Sequence, residues 1–552
     1  MTMPPYGQQP PPPGYGQPQP PQGYGQQPPQ GYGQQPPQGY GQQPPQGYGQ
    51  APFQGQSHHP GQWGHQPPPQ APRSSSTALK WGAFGAAGLL TVGLLGGGAL
   101  FAFSKVNGGG PQPESALPGT AVAFAKVDLD PSADQKLDAF RFARKFPGAK
   151  DSLNGVDENG DLRKELFDAL QDDGEFEGVD YATDVEPWLG QRIGVAVLPG
   201  TDGGEPGVVI ALASTDQDAA TKGLATMTGD GGYCSVQADF AICGEEQAIV
   251  DKAINDTKSG SLEDNANFTS DMSDLGEDGI ATAWVDGTQL GALDSMVGIR
   301  QSGSGQAQGR YAVALRFDGP TLELAGRANA LPAGSVPGGD GTSIGDLPEG
   351  TLGALSIAGL DESLRKAWPE IDKSARQTLG DDWQSGLDSF TSETGLSVPD
   401  DVAKAVGSDT TLALGPDANE PKVALVTNGD RGLIDKLVAS VDTGSSGYSS
   451  GGPQLSVKDA GDNRTVVTTQ PGYADEIANG SGLGDSAAFK DAVPDADKAG
   501  VVGYADIGKI VETFGSDIDD ETKANLAPLS AVGFSTWGED DHADFRFRLT
   551  TK

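Results

Sequence analysis

A single apolar stretch, Trp81 to Phe103, divides the 552-residue chain into two unlike parts. It contains no charged side chain and would rise about 34 Å as an α-helix, more than the ~30 Å hydrocarbon core of a bilayer. The alternative is a buried core helix of a soluble protein, but charge-free runs of this length are rare in such helices. The stretch therefore predicts a transmembrane helix over residues 79–104.

A cleaved signal peptide is a second alternative for this segment. A signal peptide has a short n-region, an apolar core of about 7–15 residues and a small-residue cleavage site. Here 80 residues precede Trp81, and no such site follows Phe103. Arg73 and Lys80 flank the N-terminal side against Lys105 alone on the other, and basic flanks tend to stay in the cytoplasm. We expect a single-pass cell-membrane protein with a cytoplasmic N-terminus and an extracytoplasmic C-terminal region.

The N-terminal segment 1–78 is a low-complexity array rich in Pro, Gln, Gly and Tyr. Its tyrosines recur every eight residues at Tyr24, Tyr32, Tyr40 and Tyr48. Such a composition cannot bury enough apolar surface to offset the entropy of ordering, so we expect a disordered tail. Regular tyrosines suit weak, multivalent contacts with cytoplasmic partners, and an inert spacer is the alternative.

Acidic residues are concentrated after the apolar stretch. Residues 1–110 contain three basic residues and no acid, so the other 33 basic residues stand against 75 acidic ones, a net charge of −42. Such a surface repels the phosphates of nucleic acids and anionic lipid headgroups. We therefore expect no nucleic-acid partner. The charge serves solubility or attracts cations and basic partners, and the first reading is the simpler one.

The region after the stalk at 105–116 repeats one order of predicted elements. The two copies cover residues 117–330 and 347–552, and a linker rich in Gly, Pro and Ser joins them at 331–346. Each copy opens with a Leu-Pro pair, at Leu117 and Leu347. This self-similarity predicts a tandem duplication.

The predicted elements of each copy alternate strands with amphipathic helices. The predicted strands are Ala121–Val127, Ile193–Leu198, Val208–Ala213, Cys234–Gln237, Phe240–Cys243, Ile280–Val285, Tyr311–Phe317 and Thr321–Asn329, then Leu352–Ala358, Thr411–Leu414, Val423–Thr427, Leu455–Lys458, Thr465–Thr468, Val501–Ala505, Ala531–Trp537 and Ala543–Thr550. The predicted helices are Ala133–Phe146, one opening at Asp216, Glu245–Thr257, Glu362–Leu379, one opening at Asp430, and Ala474–Asn479. The central strand-helix-strand-strand-helix-strand order is typical of ferredoxin-like sheets. We expect an α+β fold with largely antiparallel sheets, extended by each copy's first strand and closing hairpin.

Two cysteines, Cys234 and Cys243, are the only ones in the chain. They flank a predicted two-residue turn at Ala238-Asp239, which places them opposite each other at a non-hydrogen-bonded position of the hairpin. This register suits a cross-strand disulfide in an exported protein, with two reduced core thiols as the alternative. The second copy lacks both residues, so the fold itself does not require the bridge.

Histidine is too scarce for most metal or triad chemistry. Three histidines lie in the tail, and only His542 lies beyond the apolar stretch, beside Asp540 and Asp541. A multi-histidine metal site and a Ser-His-Asp triad are therefore not expected. We predict no catalytic, cofactor-binding or metal-binding residue. Carboxylates are abundant, so a carboxylate-dependent hydrolase stays open as an alternative function.

The apolar stretch contains a possible helix–helix contact at Gly93 and Gly97. Glycines four residues apart lie on one helix face and let two backbones approach closely. Glycine is common throughout this segment, so a chance match is the alternative.

The chain resembles a family of actinobacterial membrane proteins that carry an exported domain of unknown function. The resemblance rests on the Pro-Gln-Gly-Tyr tail, the Gly-rich span, Leu117–Asp128, Asp134–Pro147 and Trp188–Gly190. It implies a cell-envelope location and no activity. We therefore expect a membrane-anchored envelope protein whose exported region binds or scaffolds an unknown envelope ligand or protein.

Overall fold

The computed structural model describes residues 110–147, 161–172, 176, 178–200, 206–228, 232–292, 309–331, 341–420, 422–444, 455–461, 463–539 and 541–552. The predicted tail, the predicted span with Gly93 and Gly97, and most of the linker lie outside these ranges. No helix within these ranges is long and apolar enough to cross a membrane. We call residues 110–331 the first half and residues 341–552 the second half.

The first half contains eight strands and several helices. Its strands are β1 (Ala123–Asp128), β2 (Leu189–Leu198), β3 (Gly207–Ser214), β4 (Tyr233–Val236), β5 (Phe240–Gly244), β6 (Ala281–Asp286), β7 (Arg310–Asp318) and β8 (Thr321–Asn329). Its α-helices are α1 (Ala133–Ala143), α2 (Leu162–Asp172), α3 (Gln217–Thr228), α4 (Gln247–Thr257) and α5 (Ala266–Leu275). Every strand predicted from the sequence is found, with ends that differ by a few residues.

The second half repeats the strands and adds helices. Its strands are β9 (Gly353–Ala358), β10 (Asp409–Gly415), β11 (Lys422–Thr427), β12 (Ser456–Asp459), β13 (Thr465–Thr468), β14 (Val501–Asp506), β15 (Leu529–Glu539) and β16 (His542–Thr551). Its α-helices are α6 (Leu360–Leu379), α7 (Asp381–Thr394), α8 (Asp400–Val406), α9 (Arg431–Gly444), α10 (Pro471–Asn479), α11 (Ala487–Ala492), α12 (Ile507–Phe514) and α13 (Asp520–Leu526).

Side-chain caps explain where two corresponding helices begin. Asp216 accepts a hydrogen bond from the Ala219 amide at 2.9 Å, and Asp430 accepts one from the Leu433 amide at 3.0 Å. A carboxylate before the first turn satisfies an amide that has no partner within the helix. The predicted helix starts at α3 and α9 therefore rest on the same interaction in both halves.

All sixteen strands form one sheet, in the order β12-β13-β11-β10-β9-β14-β15-β16-β8-β7-β6-β1-β2-β3-β5-β4. Read outwards from the β8–β16 pair, the two halves have the same strand order. Neighbouring strands pair antiparallel throughout, as the bonds between β16 and β8 illustrate. The protein is thus α+β with a large antiparallel sheet, and its strand order is the one that a tandem duplication produces.

The ferredoxin-like prediction is wrong for the position of β6, the last strand of the central run. In that fold the last strand of the central run would lie next to β3, but β1 and β2 lie between β3 and β6. The reason is that β2 pairs with β3 and occupies its free edge, so β6 pairs instead with β1. The closing hairpin β7–β8 extends the sheet beyond β6, as expected.

One face of the sheet carries the main core of each half. In the first half, α4 and α5 bury Val250 and Phe268 against Phe124 and Trp284 of this face. In the second half, α10 and α11 pack on the corresponding face, which includes Val502 and Tyr504. We call this the helix-covered face of the sheet.

The halves meet at a pair of strands related by an approximate two-fold axis. Ala325 of β8 lies opposite Arg546 of β16 at the centre of this pairing. On either side, Arg327 contacts Asp544 at 3.0 Å and Arg548 contacts Glu323 at 2.9 Å. Because each half contributes the same strand, the contact resembles the self-complementary interface of a symmetric dimer.

Candidate binding face

The two cysteines lie at the outer edge of the first half. Cys234 and Cys243 are register partners in the β4–β5 hairpin, and their sulfurs form a disulfide. The second half pairs Val457 with Val467 at the matching place. The cysteines therefore close a peripheral hairpin, and apolar packing occupies the same position in the other half. Gly93 and Gly97 lie outside the described residues.

The buried carboxylate of Asp271, on α5, is saturated with hydrogen-bond donors. Arg310 donates to both of its oxygens at 2.7 and 3.0 Å, and the Trp284 indole and the Asn329 amide each donate at 2.8 Å. Burial raises the pKa of Asp271, but these donors and the charge of Arg310 outweigh burial and hold the pKa below its usual value. An acid held in this way has a structural role and is a poor proton donor.

A second buried carboxylate, Glu323, lies at the junction of the halves. It is 4% exposed and contacts three arginines: Arg316 of β7 at 2.7 Å, Arg548 at 2.9 Å and Arg546 at 3.3 Å. Arg546 and Arg548 belong to the second half, so Glu323 contributes to the contact between the halves. Among the described residues, no group of three His, Cys, Asp or Glu side chains is arranged to hold a metal ion.

The opposite face of the second half is apolar and partly uncovered. Side chains alternate between the two faces of a strand, so every second residue of β9, β10, β11, β14, β15 and β16 points away from the helix-covered face. None of these residues is charged; they are Gly353, Leu355, Ile357, Thr410, Leu412, Leu414, Val423, Leu425, Thr427, Val501, Gly503, Ala505, Val532, Phe534, Thr536, Gly538, Ala543, Phe545, Phe547, Leu549 and Thr551. We call this surface the open face.

A straight row of apolar residues crosses the open face. Its members are direct register partners from strand to strand, in the order Phe547, Phe534, Gly503, Leu355, Leu412 and Leu425. Leu412 is 50% exposed and Leu355 is 44% exposed. Six strands about 4.8 Å apart make the row about 24 Å long. Contiguous exposed apolar surface of this kind marks interaction sites in soluble domains.

The first half covers the equivalent part of its sheet with α1. Phe142 of α1 packs against Phe317 with ring centroids 5.5 Å apart, and Leu322 and Leu549 lie in the same cluster. In the hairpin register, Asp318 lies opposite Thr321 in the first half and Glu539 lies opposite His542 in the second. Gly538 and Ala543 therefore replace Phe317 and Leu322. The second half lacks the side chains that would seat a helix there.

The helices α6 and α7, which follow β9 as α1 follows β1, contain no buried residue. Ile371 and Leu379 of α6 are 40% and 52% exposed, and the indoles of Trp368 and Trp383 lie 6.1 Å apart. The next helix, α8, borders the open face, because its Val406 carbonyl accepts hydrogen bonds from Thr410 and Thr427 of that face. Helix α8 thus borders the open face at one end of β10 and β11.

The sequence-based prediction did not identify the open face. A usable signal was present, because strands such as 352–358 and 531–537 carry apolar residues at both odd and even positions. Such strands are expected where both faces are covered. Here one of those faces is exposed instead, and only the three-dimensional arrangement reveals this.

Comparison with known proteins finds one family match, which indicates no activity. Residues 84–233 match the family described as a protein of unknown function (DUF3352). The match includes Leu117–Asp128 and Trp188–Gly190, on which the resemblance to a domain of unknown function partly rests. It ends at the first residue of β4, so the open face lies outside it. No curated protein and no solved structure matches the chain.

Proposed function

We propose that the chain is a membrane-anchored, extracytoplasmic binding protein of the cell envelope. Its second half binds an apolar molecule on the open face, the predicted helix at 79–104 holds it at the membrane, and the tail contacts cytoplasmic partners. The observation that carries the binding function is the uncharged row from Phe547 to Leu425, with Leu412 half exposed. Leaving such a row in contact with water is unfavourable, so it favours an apolar occupant.

Two of the buried carboxylates, Asp271 and Glu323, favour binding over hydrolysis. Asp271 and Glu323 both form ion pairs with arginines. A glycosidase-like reaction needs one carboxyl group that keeps its proton near neutral pH and a second that is ionised. The ion pair of Asp271 acts in the opposite direction, since it lowers the pKa.

The binding function is tested with an apolar fluorescent probe such as N-phenylnaphthylamine. The full chain is reconstituted in lipid nanodiscs as wild type, as the double variant Leu412→Glu with Phe547→Glu, and as Leu137→Glu. Leu137 of α1 is 45% exposed and lies outside the open face, so it is a matched control. Probe uptake by the lipid is common to all three samples. We expect the double variant alone to lose probe binding, and equal binding by all three would refute the proposal.

The membrane orientation is tested separately, with protease on intact, wall-stripped cells. The flanking charges of the span predict that residues 111–552 are digested and that the tail is protected. Digestion of the tail with protection of the larger region would reverse the proposed orientation. This outcome would leave the binding property of the open face unaffected.

A further inference from the structure

We propose that the occupant of the open face is a membrane lipid, whose acyl chains lie across the strands from β16 to β11. This inference rests on the proposed function and names the ligand class for the same surface. The alternatives are a second copy of this chain and an apolar molecule taken from solution. Length, charge and position relative to the membrane favour the lipid.

The shape of the row suits an extended hydrocarbon chain. It is about 24 Å long and one residue wide on each strand. One leaflet of a bilayer is about half of the ~30 Å hydrocarbon core, so a lipid tail that spans a leaflet fits within the row. At Gly503, near the middle, the nearest side-chain atoms to a hypothetical Cβ are those of Phe534 and Leu355, at 3.7 and 3.9 Å. The row therefore dips at this glycine, between two larger side chains.

The chemistry of the open face suits hydrocarbon rather than a polypeptide partner. Its strand residues offer only hydrocarbon groups and a few threonine hydroxyls, with no charge to fix the register of a protein partner. Thr410 and Thr427 are buried, and their hydroxyls are bonded to Val406. Protein interfaces normally have a polar rim that supplies specificity, whereas a hydrocarbon chain requires only apolar contact.

Charge argues against a second copy as the occupant. The 33 basic and 75 acidic residues after position 110 give each chain a net charge of −42, so two copies repel each other. The same charge disfavours an anionic headgroup near the protein surface. A lipid with a zwitterionic or uncharged headgroup is the expected ligand.

The short connection to the predicted span places lipid within reach. The span is predicted to end at residue 104, and the described chain begins at Gly110. The five residues between them reach at most about 18 Å when fully extended. The first half is therefore tethered at Gly110 close to the bilayer surface, and the second half, in the same sheet, is held at a membrane where lipid is the most abundant apolar molecule.

The test uses the full chain in phosphatidylcholine nanodiscs that contain a phosphatidylcholine with a photoreactive diazirine in its acyl chain. After illumination, crosslinked peptides are mapped by mass spectrometry. We expect crosslinks in 501–551 and 353–427, in addition to those in the predicted span. The double variant Leu412→Glu with Phe547→Glu should lower the crosslinks to the strands about tenfold, because a carboxylate cannot be desolvated against hydrocarbon at small cost. Leu137→Glu should leave them unchanged.

Further arms distinguish the other sources and occupants. A photoreactive phosphatidylglycerol should label the strands less than the phosphatidylcholine does, and a photoreactive fatty acid added from solution tests uptake without a bilayer. Labelling by the fatty acid alone, or chain-to-chain crosslinks at the open face, would overturn the lipid proposal. Circular dichroism checks that each variant is folded, and Leu412→Gln replaces the double variant if the latter is not.

Failure of this inference can be told from failure of the proposed function. If the apolar probe binds the open face while lipid crosslinks stay within 79–104, the ligand is not a membrane lipid but the binding function stands. If neither the probe nor the lipid contacts the open face, both proposals are wrong.

Discussion

Replacing Glu323 by glutamine tests how much the buried ion pairs at the junction of the halves contribute to the free energy of unfolding. The substitution keeps the size of the side chain and removes its charge, which three arginines share at 2.7 to 3.3 Å. Removing one partner of a buried ion pair costs about 3–5 kcal/mol, because the remaining charge stays desolvated. Arg548 keeps Asp318 at 2.8 Å, and Arg546 keeps Asp495. We therefore expect the lower end, about 3 kcal/mol.

The approximate two-fold axis supplies the control for this prediction. Asp544 contacts Arg327 across the same pair of strands, but both side chains are 21% exposed. Solvent-exposed ion pairs contribute about 0–1 kcal/mol, and since water reaches this pair more than it reaches Glu323, Asp544→Asn should have the smaller effect. Urea unfolding of the full chain in nanodiscs, followed by tryptophan fluorescence, measures both. If Glu323→Gln costs no more than Asp544→Asn, burial of the ion pairs at the junction does not contribute the expected free energy of unfolding.

Three further measurements test particular residues. The pKa of Asp271 is lowered in the folded state, so its ionised form stabilises the protein above the unfolded pKa of about 3.9, and this stability is lost as the pH falls through the folded pKa. The difference in unfolding free energy between wild type and Asp271→Asn should therefore shrink between pH 5 and pH 2. A constant difference would contradict this. Cys234→Ala should cost a few kcal/mol and leave one free thiol, since the bridge closes a short loop; two titratable thiols in native, exported wild type would rule out the disulfide. Gly93→Leu or Gly97→Leu should weaken self-association of the isolated span in a membrane reporter assay more than Gly88→Leu does, and equal effects would reduce the motif to background composition.

Local patterns in the sequence were sufficient for the strands and for the repeat. The two Leu-Pro openings illustrate why. Pro118 bridges to Ser261 and Pro348 bridges to Gly482, so each opening pair anchors the entry of a first strand by the same contact. The same contact in both halves is accompanied by the same short sequence, Leu-Pro, and this repeat is visible in the chain. The register of Cys234 and Cys243 was likewise accessible, because a two-residue turn defines it.

Strand order was less accessible because it depends on contacts between distant segments. The pattern of apolar residues in β1 and β2 indicates that they are strands. It does not indicate that β2 pairs with the free edge of β3. Helices such as α2, α5 and α7 were also missed, since their short amphipathic stretches lie between stronger signals. Helix α7 has no buried residue, so its apolar side chains do not belong to either main core. Such elements depend on tertiary context more than on their own sequence.

The open face arises from a difference between two halves that otherwise share one architecture. Two halves with the same strand order present equivalent faces, and both faces must be covered or put to use. In the first half, Phe317 and Leu322 hold α1 on the sheet, and this face is closed. In the second half, Gly538 and Ala543 stand at the corresponding positions, so no helix is seated there, and α6 and α7 bury no residue. Loss of a helix seat alone would leave a surface that selection for solubility would be expected to make polar. The exposed face has instead stayed free of charge across six strands, in a region with a net charge of −42. Retained apolar character on an uncovered face is therefore best explained by an apolar occupant.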